Sequence, residues 1–235
     1  MISRKKTKSR KRYWLLFCLA AALLISVLLL CRFLLLYRPA GYAPPMIVDD
    51  RQVSPYLTHE ILPRLYNGAQ RQEPFDLVIT QKGINDVVVR SKWPRRADGI
   101  SFSAPEVFFL PGKVVLMGIA AASGIEFIVT VVIEPRLDEQ GLLNLSVAKV
   151  KVGAVNITPA ARVIAKRMYA QRPAETNIKA EDLPAKITAS LLNSEPFEPV
   201  FSIKGILENE DKKLRLKQIT IVKEGLTLRL APASG

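Results

Sequence analysis

The sequence predicts an α+β protein: one N-terminal transmembrane helix, then a curved, mostly antiparallel sheet packed against two or three helices. Three observations predict it: an uncharged apolar run near the N-terminus, apolar residues at period two between turn residues after Gly99, and segments with helix-capping residues and helical spacing. We divide the 235 residues into a basic cytoplasmic tail (1–12), a transmembrane helix (13–37), a tether with a juxtamembrane helix (38–74) and an extracytoplasmic α+β domain (75–235).

The positive charge is concentrated in the N-terminal tail. The chain has 34 basic and 21 acidic residues, a formal net charge of +13. Seven of the basic residues lie in the first twelve positions, and no acidic residue precedes Asp49. From Pro39 onward 25 basic residues stand against 21 acidic ones, which is ordinary for a soluble domain. The charge therefore does not indicate a nucleic-acid partner, and we expect none.

An apolar run of nineteen residues begins at Tyr13 and, after Arg32, continues to Tyr37. A helix from Trp14 to Leu36 is about 35 Å long at roughly 1.5 Å per residue, enough for a hydrocarbon core of about 30 Å. The positive-inside rule places the basic tail in the cytoplasm and the following domain outside it. We predict a single-pass protein of the inner, or cytoplasmic, membrane, with its tail near anionic headgroups.

A cleaved signal peptide is the alternative interpretation of this run. The apolar part of a signal peptide has about 7 to 15 residues, which is shorter than the run in this chain. A lipid-modified cysteine normally follows a small residue, whereas Cys18 and Cys31 follow Phe17 and Leu30. Because both cysteines lie in the apolar run, we expect the exported domain to fold without disulfides.

The segment from residue 38 to residue 55 is predicted to be a tether, because its prolines leave little room for a helix or a ladder. A short helix is predicted over residues 56–66 and a strand over residues 75–79. Thr80 is a candidate N-cap for a helix that ends near Lys92.

Period-two alternation from Gly99 onward predicts an antiparallel sheet. Helices are predicted between its two groups of strands, over residues 158–170 and 183–192. The predicted strands cover residues 100–109, 113–121, 125–134, 142–152, 200–207, 213–222 and 226–230.

The sequence contains few residues suited to catalysis. His59 is the single histidine and has no nearby cysteine, so neither a histidine-ligated zinc site nor a Ser/His/Asp triad is indicated. Glu106, Glu126 and Glu134 lack the spacing of a carboxylate pair, and no phosphate-binding glycine motif is present. We expect no enzymatic activity, catalytic residue, metal site or cofactor.

The order of the parts resembles the YpmS-like family of small, membrane-anchored, extracytoplasmic bacterial proteins. It is also similar to the tubular lipid-binding type of exported domain, in which a long curved sheet wraps around a helix. The resemblance covers roughly residues 75–230 and contains no catalytic signature. It rests on the helix after Thr80, the apolar hairpins, Glu134-Pro135, residues 138–145, residues 146–153 with Ile157 and Pro159, and the closing segment 213–230.

The strands over residues 114–119 and 125–133 carry apolar residues on both faces. We expect a groove between sheet and helix that binds a lipid or another apolar ligand, stabilised by about 25 cal/mol per Å² of buried apolar area. One alternative is that the same residues fill a closed core. Another is a non-enzymatic interaction or scaffold subunit with a protein partner in a cell-envelope complex. The candidate lining residues are Phe102, Phe108, Val115, Met117, Ile119, Phe127, Val129 and Val131.

Overall fold

The computed structural model describes residues 7–39, 41–44, 53–71, 73–97, 99–170, 183–204 and 211–233. Helix α1 spans Thr7–Leu35, and a π-helical turn at Tyr56–Ile61 continues into α2, Leu62–Ala69. The other elements are β1 (Phe75–Thr80), α3 (Gln81–Val89), β2 (Arg95–Ala97), β3 (Ile100–Phe102), β4 (Glu106–Leu110), β5 (Lys113–Ala122), β6 (Ile125–Leu137), β7 (Leu143–Val152), β8 (Val155–Asn156), α4 (Thr158–Ala170), α5 (Leu183–Asn193), β9 (Val200–Lys204), β10 (Asp211–Val222) and β11 (Gly225–Pro232).

Within these described ranges the strands form two antiparallel sheets. The small sheet has the order β1-β11-β10-β9; the large sheet has the order β2-β3-β5-β6-β7-β8, with β4 also paired to β5. Helices α2 to α5 contact these sheets or one another, which confirms the predicted α+β class. The strands form two sheets rather than the single one predicted, because β1 pairs with the C-terminal strand β11 and not with the strands that follow it.

The N-terminal helix is observed over nearly the whole of the predicted segment 13–37. Its part Tyr13–Leu35 contains an 18-residue window with a mean hydropathy of 2.8, and α1 is the one helix in the described ranges that is long and apolar enough to cross a membrane. None of its most apolar window is buried within the protein. The helix begins at Thr7, inside the predicted basic tail. Apart from its last turn, α1 therefore projects away from the folded domain.

The predicted strand over residues 100–109 is two strands, β3 and β4, separated by residues 103–105. Both pair with β5 on the same side, with Phe102 opposite Ala120 and Glu106 opposite Met117. The interruption follows from chemistry, because Pro105 has no N–H for the ladder. The Ser103 hydroxyl accepts a hydrogen bond from the Ile119 amide at 3.0 Å. The backbone N–H of Ser103 donates to Ile119 O at 2.9 Å. Three residues therefore lie opposite two on β5, as in a β-bulge.

Helix α3 covers the outer edge of β4. The predicted N-cap is confirmed, since Thr80 Oγ1 accepts from the Gly83 amide at 3.1 Å. The Asn85 amide pairs with both backbone groups of Val107, at 2.7 and 2.8 Å, and Gln81 Oε1 accepts from the Phe109 amide at 2.9 Å. These amide side chains take the place of a neighbouring strand, so this edge does not offer unpaired backbone groups.

The main core lies between the small sheet, helices α2 and α5, and the start of β7. Leu214, Leu230 and Leu216 are at most 3% exposed, which places the middle of β10 and β11 at its centre. The buried Ser190 of α5 accepts from the Leu145 amide at 2.8 Å, which holds α5 against β7. The predicted helices 158–170 and 183–192 are observed as α4 and α5. Residues 205–207 of the predicted strand 200–207 lie outside the described ranges.

The substitution Asn85→Ala is expected to destabilise the protein by about 1–3 kcal/mol, because it leaves part-buried backbone groups of Val107 without partners. Urea denaturation of the detergent-solubilised full chain, followed by Trp93 fluorescence in a Trp14→Phe background, measures the loss. The control is Asn67→Ala on the exposed face of α2. Equal unfolding midpoints for the two variants would show that the Asn85 pairing adds nothing.

Candidate functional site

An open groove of about 510 Å³ lies on one face of the large sheet, within the range of about 300–1,000 Å³ that is typical of small-molecule sites. Its floor is formed by β5 and β6, and its walls by residues of 93–96 and 102–105. Most of the surface is apolar. The residues that line it are Trp93, Arg95, Arg96, Phe102, Ser103, Pro105, Leu116, Gly118, Ile119, Val129 and Val131.

The floor of the groove follows from the register of β5 and β6. Leu116 lies opposite Val131 and Gly118 opposite Val129, so these four residues share one face of the sheet. Gly118 stands opposite the β3–β4 interruption and contributes no side chain. A Cβ atom there would lie 3.4 Å from the Cα of Pro105, which is ordinary contact. Within the groove, a glycine on one strand therefore meets a bulge in the next.

The charged end of the groove is formed by β2 and the residue pair before it. Arg95 lies opposite Phe102, so its side chain emerges on the face to which Phe102 contributes. The Arg95 guanidinium carbon is 4.8 Å from the centre of the Trp93 ring, a cation–π contact. Trp93 is itself held in place, because its indole N–H donates to Val88 O, 2.8 Å away, at the end of α3. Arg95 and Arg96 are exposed, and neither forms an ion pair with another described residue.

The groove is lined by four of the eight residues proposed from the sequence: Phe102, Val129 and Val131 on the face of Gly118, and Ile119, which borders the groove beside Ser103 although it alternates with Gly118. The other four lie elsewhere for reasons of strand geometry. Val115 and Met117 alternate with Leu116 and Gly118, so they point to the opposite face, and Phe108 pairs with Val115 on that face. Phe127 lies two residues beyond Val129 and borders a separate small cavity. Val115 is only 4% exposed, as expected of a core residue.

Sequence reasoning missed the walls and part of the floor: Trp93, Arg95, Arg96, Ser103, Pro105, Leu116 and Gly118. The groove lies on β5 and β6 beside residues of 93–96 and 102–105, not between the sheet and a helix. The isolated Gly118 inside a strand pattern was the available signal, because such a glycine marks a bulge or a close backbone approach.

The chain that follows α1 crosses the sheet on the side of Ile119 and Ile128. Leu36, Arg38, Tyr42 and Pro44 border a cavity of about 40 Å³ with those two residues, Glu126 and Phe127. The Ala43 amide donates to Glu106 Oε2 at 3.3 Å. Burial raises the pKa of Glu106 above its usual value, and the Ala43 hydrogen bond opposes that shift. Residues 41–44 of the predicted tether thus pack against the domain.

The last turn of α1 is joined to the turn between β7 and β8. The Ala154 amide donates to Leu34 O at 2.8 Å. Gly153 has φ +57°, and a Cβ atom there would lie 2.4 Å from both Leu34 O and Leu35 O, so the approach requires glycine. The Gly153 amide donates to Ile128 O at 2.8 Å, and Val129 pairs with Val152. Val129 of the groove floor is therefore paired with Val152, the residue next to Gly153, where α1 contacts the sheet.

His59 and Glu134 contact neighbouring polar or charged side chains. The ranges of chain that the structure describes contain no group of three or more His, Cys, Asp and Glu suited to a metal ion. His59 is exposed, with Nδ1 3.0 Å from Thr58 Oγ1. Glu134 is ion-paired with Lys113 at 3.1 Å and Arg136 at 2.8 Å, and its hydrogen bond to Lys113 is the main reason its pKa is lowered.

No protein-family model matches the chain, and no curated protein matches its sequence. What the groove binds is therefore inferred from its own residues.

The substitution Gly153→Ala is expected to separate α1 from the β7–β8 turn, because the added Cβ would overlap Leu34 O and Leu35 O. Gly124→Ala is the matched control: Gly124 also has a positive φ, +78°, but nothing lies within 4 Å of its added Cβ. Hydrogen exchange of the peptide that contains Ala154 measures the contact. We expect faster exchange in Gly153→Ala alone; equal rates in both variants would contradict the docking.

The substitution Glu106→Gln is expected to raise the free energy of unfolding at pH 7, because it removes a partly buried charge while keeping an acceptor for the Ala43 amide. Since the folded-state pKa of Glu106 is raised, wild-type stability falls as the pH rises from about 4 through that pKa. The advantage of the variant should therefore shrink on acidification. Urea denaturation at pH 7 and pH 4 measures it, with the exposed Glu139→Gln as control; a pH-independent advantage would contradict this cause.

Proposed function

We propose that this protein is a membrane-tethered domain that binds a lipid or another acyl-chain ligand in the groove on β5 and β6. The observation that carries the proposal is the groove itself, which is apolar along its floor, open to the surface, about 510 Å³ in volume and one residue from the attachment of α1. An acyl chain fits this combination because it needs length and apolar contact more than hydrogen bonds.

In this proposal α1 spans the cell membrane once, with the N-terminus in the cytoplasm and the domain outside. Its support is the mean hydropathy of 2.8 in an 18-residue window within Tyr13–Leu35 and the basic tail before it. A signal sequence passes the same test of length and composition. The contact between Leu34 and Ala154 favours a retained helix, because that helix is part of the folded domain's packing. The resemblance to the YpmS-like family predicts the same topology.

The energetics favour exchange with the bilayer over storage of lipid taken from water. Each methylene group removed from water contributes about 0.8 kcal/mol, which would hold a chain in the groove against escape into solvent. A chain that enters from the bilayer leaves one apolar environment for another, so this contribution largely cancels. The polar contacts at the ends of the groove then determine which lipid is bound.

A second candidate is an interaction subunit of a cell-envelope complex. It is favoured by the exposure of Val163 and Ile164 on α4, which are 53% and 55% exposed. Residues 171–182, next along the chain, lie outside the described ranges. Crosslinking in intact cells separates the two functions, since a stoichiometric protein partner on α4 supports the second and a chain that carries only lipid supports the first.

The substitution Gly118→Phe tests the lipid-binding proposal, because its ring would occupy the groove opposite Pro105. Native mass spectrometry of the full chain, extracted in mild detergent, is expected to show bound lipid in the wild type and at least a tenfold loss in the variant. Lys149→Phe, at an exposed position of β7, introduces the same side chain outside the groove, and this variant should keep the lipid. Absence of lipid from the wild type, or equal lipid in all three proteins, would refute the proposal.

A further inference from the structure

The apolar floor and the two arginines are parts of one groove. Leu116, Gly118, Val129 and Val131 form the floor, and Arg95 and Arg96 border the same space. In the described ranges neither guanidinium is neutralised by a carboxylate. Arg95 shares the face of the floor residues through Phe102, whereas Arg96 pairs with Ser101 and borders the groove from the other side of β2. A ligand that fills this groove therefore meets apolar surface along its length and the Arg95 charge at one end, with Arg96 beside it. That pattern is complementary to an amphiphile with an anionic head.

Trp93 fixes one of these charges in place. Its ring lies under the Arg95 guanidinium at 4.8 Å, and its indole N–H is bound to Val88 O at 2.8 Å. An arginine held on an aromatic face loses less side-chain freedom when it binds an anion than a free one does, and its remaining donors suit a phosphate oxygen pair. A cation–π contact does not neutralise the charge, because the ring carries no formal negative charge.

The register of the large sheet relates the arginines to the end of α1. Arg95 lies opposite Phe102, Phe102 opposite Ala120, and Ala120 opposite Phe127. The next residue, Ile128, accepts a hydrogen bond from Gly153, which contacts the last turn of α1. Arg95 and the end of α1 therefore lie at the same level along the strands, about 19 Å apart across four strand spacings. The floor extends from this level toward Val131, away from the β5–β6 turn.

We propose that the groove takes an anionic phospholipid from the membrane in which α1 is anchored, with the phosphate at Arg95, the charge of Arg96 beside it, and an acyl chain along the floor. This inference rests on the proposed lipid-binding function and names its ligand class. In this arrangement only the acyl chain of the lipid leaves the bilayer. The headgroup stays near the level at which α1 leaves the hydrocarbon core, so no charge crosses the apolar floor.

Two features favour a membrane phospholipid over a soluble anion. The charged end is continuous with an apolar floor that a small anion would leave exposed to water. The same end lies level with the attachment of the membrane helix, where anionic headgroups are concentrated. A soluble anion such as inorganic phosphate would need neither feature.

The test uses Trp93 as a local probe, because Trp14 is the only other tryptophan and Trp14→Phe removes it. The full chain is reconstituted in vesicles of phosphatidylcholine that contain a minor fraction of brominated lipid, either phosphatidylglycerol or phosphatidylcholine. Brominated chains in the groove quench Trp93 fluorescence. We expect about a tenfold preference for brominated phosphatidylglycerol over brominated phosphatidylcholine, which corresponds to about 1.4 kcal/mol. The Gly118→Phe variant gives the quenching that comes from the bilayer alone.

The arginine variants identify the cause of the preference. In Arg95→Gln/Arg96→Gln the two lipids should quench equally. Arg64→Gln/Arg71→Gln removes the same charge from exposed positions on and after α2 and should keep the preference. Arg95→Lys/Arg96→Lys keeps the charge without the planar donors and should retain part of it, which also guards against misfolding of the glutamine variant.

The outcomes separate this inference from the function on which it rests. Equal quenching by both lipids in the wild type, with lipid still found by native mass spectrometry, would overturn the anionic ligand and leave lipid binding intact. A preference that survives in Arg95→Gln/Arg96→Gln, or that inorganic phosphate abolishes without displacing the brominated chain, would also overturn it. Absence of bound lipid in both assays would remove the proposed function itself.

Discussion

The close approach of α1 to the β7–β8 turn is the contact on which the remaining arrangement depends. The last carbonyls of a helix have no partners within it, and here the Ala154 amide binds one of them, Leu34 O. Glycine at position 153 permits the approach, since any side chain would overlap the helix backbone. Through Gly153 and Ile128 the attachment reaches β6 directly. The position of the groove relative to the end of α1 is thus set by backbone contacts rather than by flexible side chains.

The two faces of the β5–β6 hairpin have different roles. On one face Leu116, Gly118, Val129 and Val131 leave a groove that the described residues do not fill. On the other, Val115 and Ile128 are almost fully buried, and the chain after α1 lies near Ile119 and Ile128. The predicted groove and the closed-core alternative therefore each describe one face of the same strands. Apolar residues at successive positions predict that both faces of a strand are apolar. They do not indicate which of the two faces remains open.

The sequence was most informative where the structure is local. The β5–β6 hairpin, the Thr80 cap and helix α4 were predicted closely, because alternation, capping and helical spacing operate over a few residues. The single strand predicted over residues 100–109 was wrong, because the bulge opposite Gly118 depends on pairing with β5. Arg95 and Arg96 could not be predicted as groove residues: β2 has three residues and no apolar alternation, and Trp93 is positioned by Val88 at the end of α3.

The short connection between α1 and the sheet limits where the groove can act. A carrier that moves lipid between two membranes needs a long flexible arm, whereas here the Ala154 amide of the domain is hydrogen-bonded directly to Leu34 O of the helix. On the proposed topology the domain can turn with its helix and diffuse laterally with it, but it cannot reach across a compartment. Its groove would bind lipid only from the membrane leaflet next to the domain. A resident lipid sensor or presenter acts in this way, whereas a shuttle carries lipid between membranes.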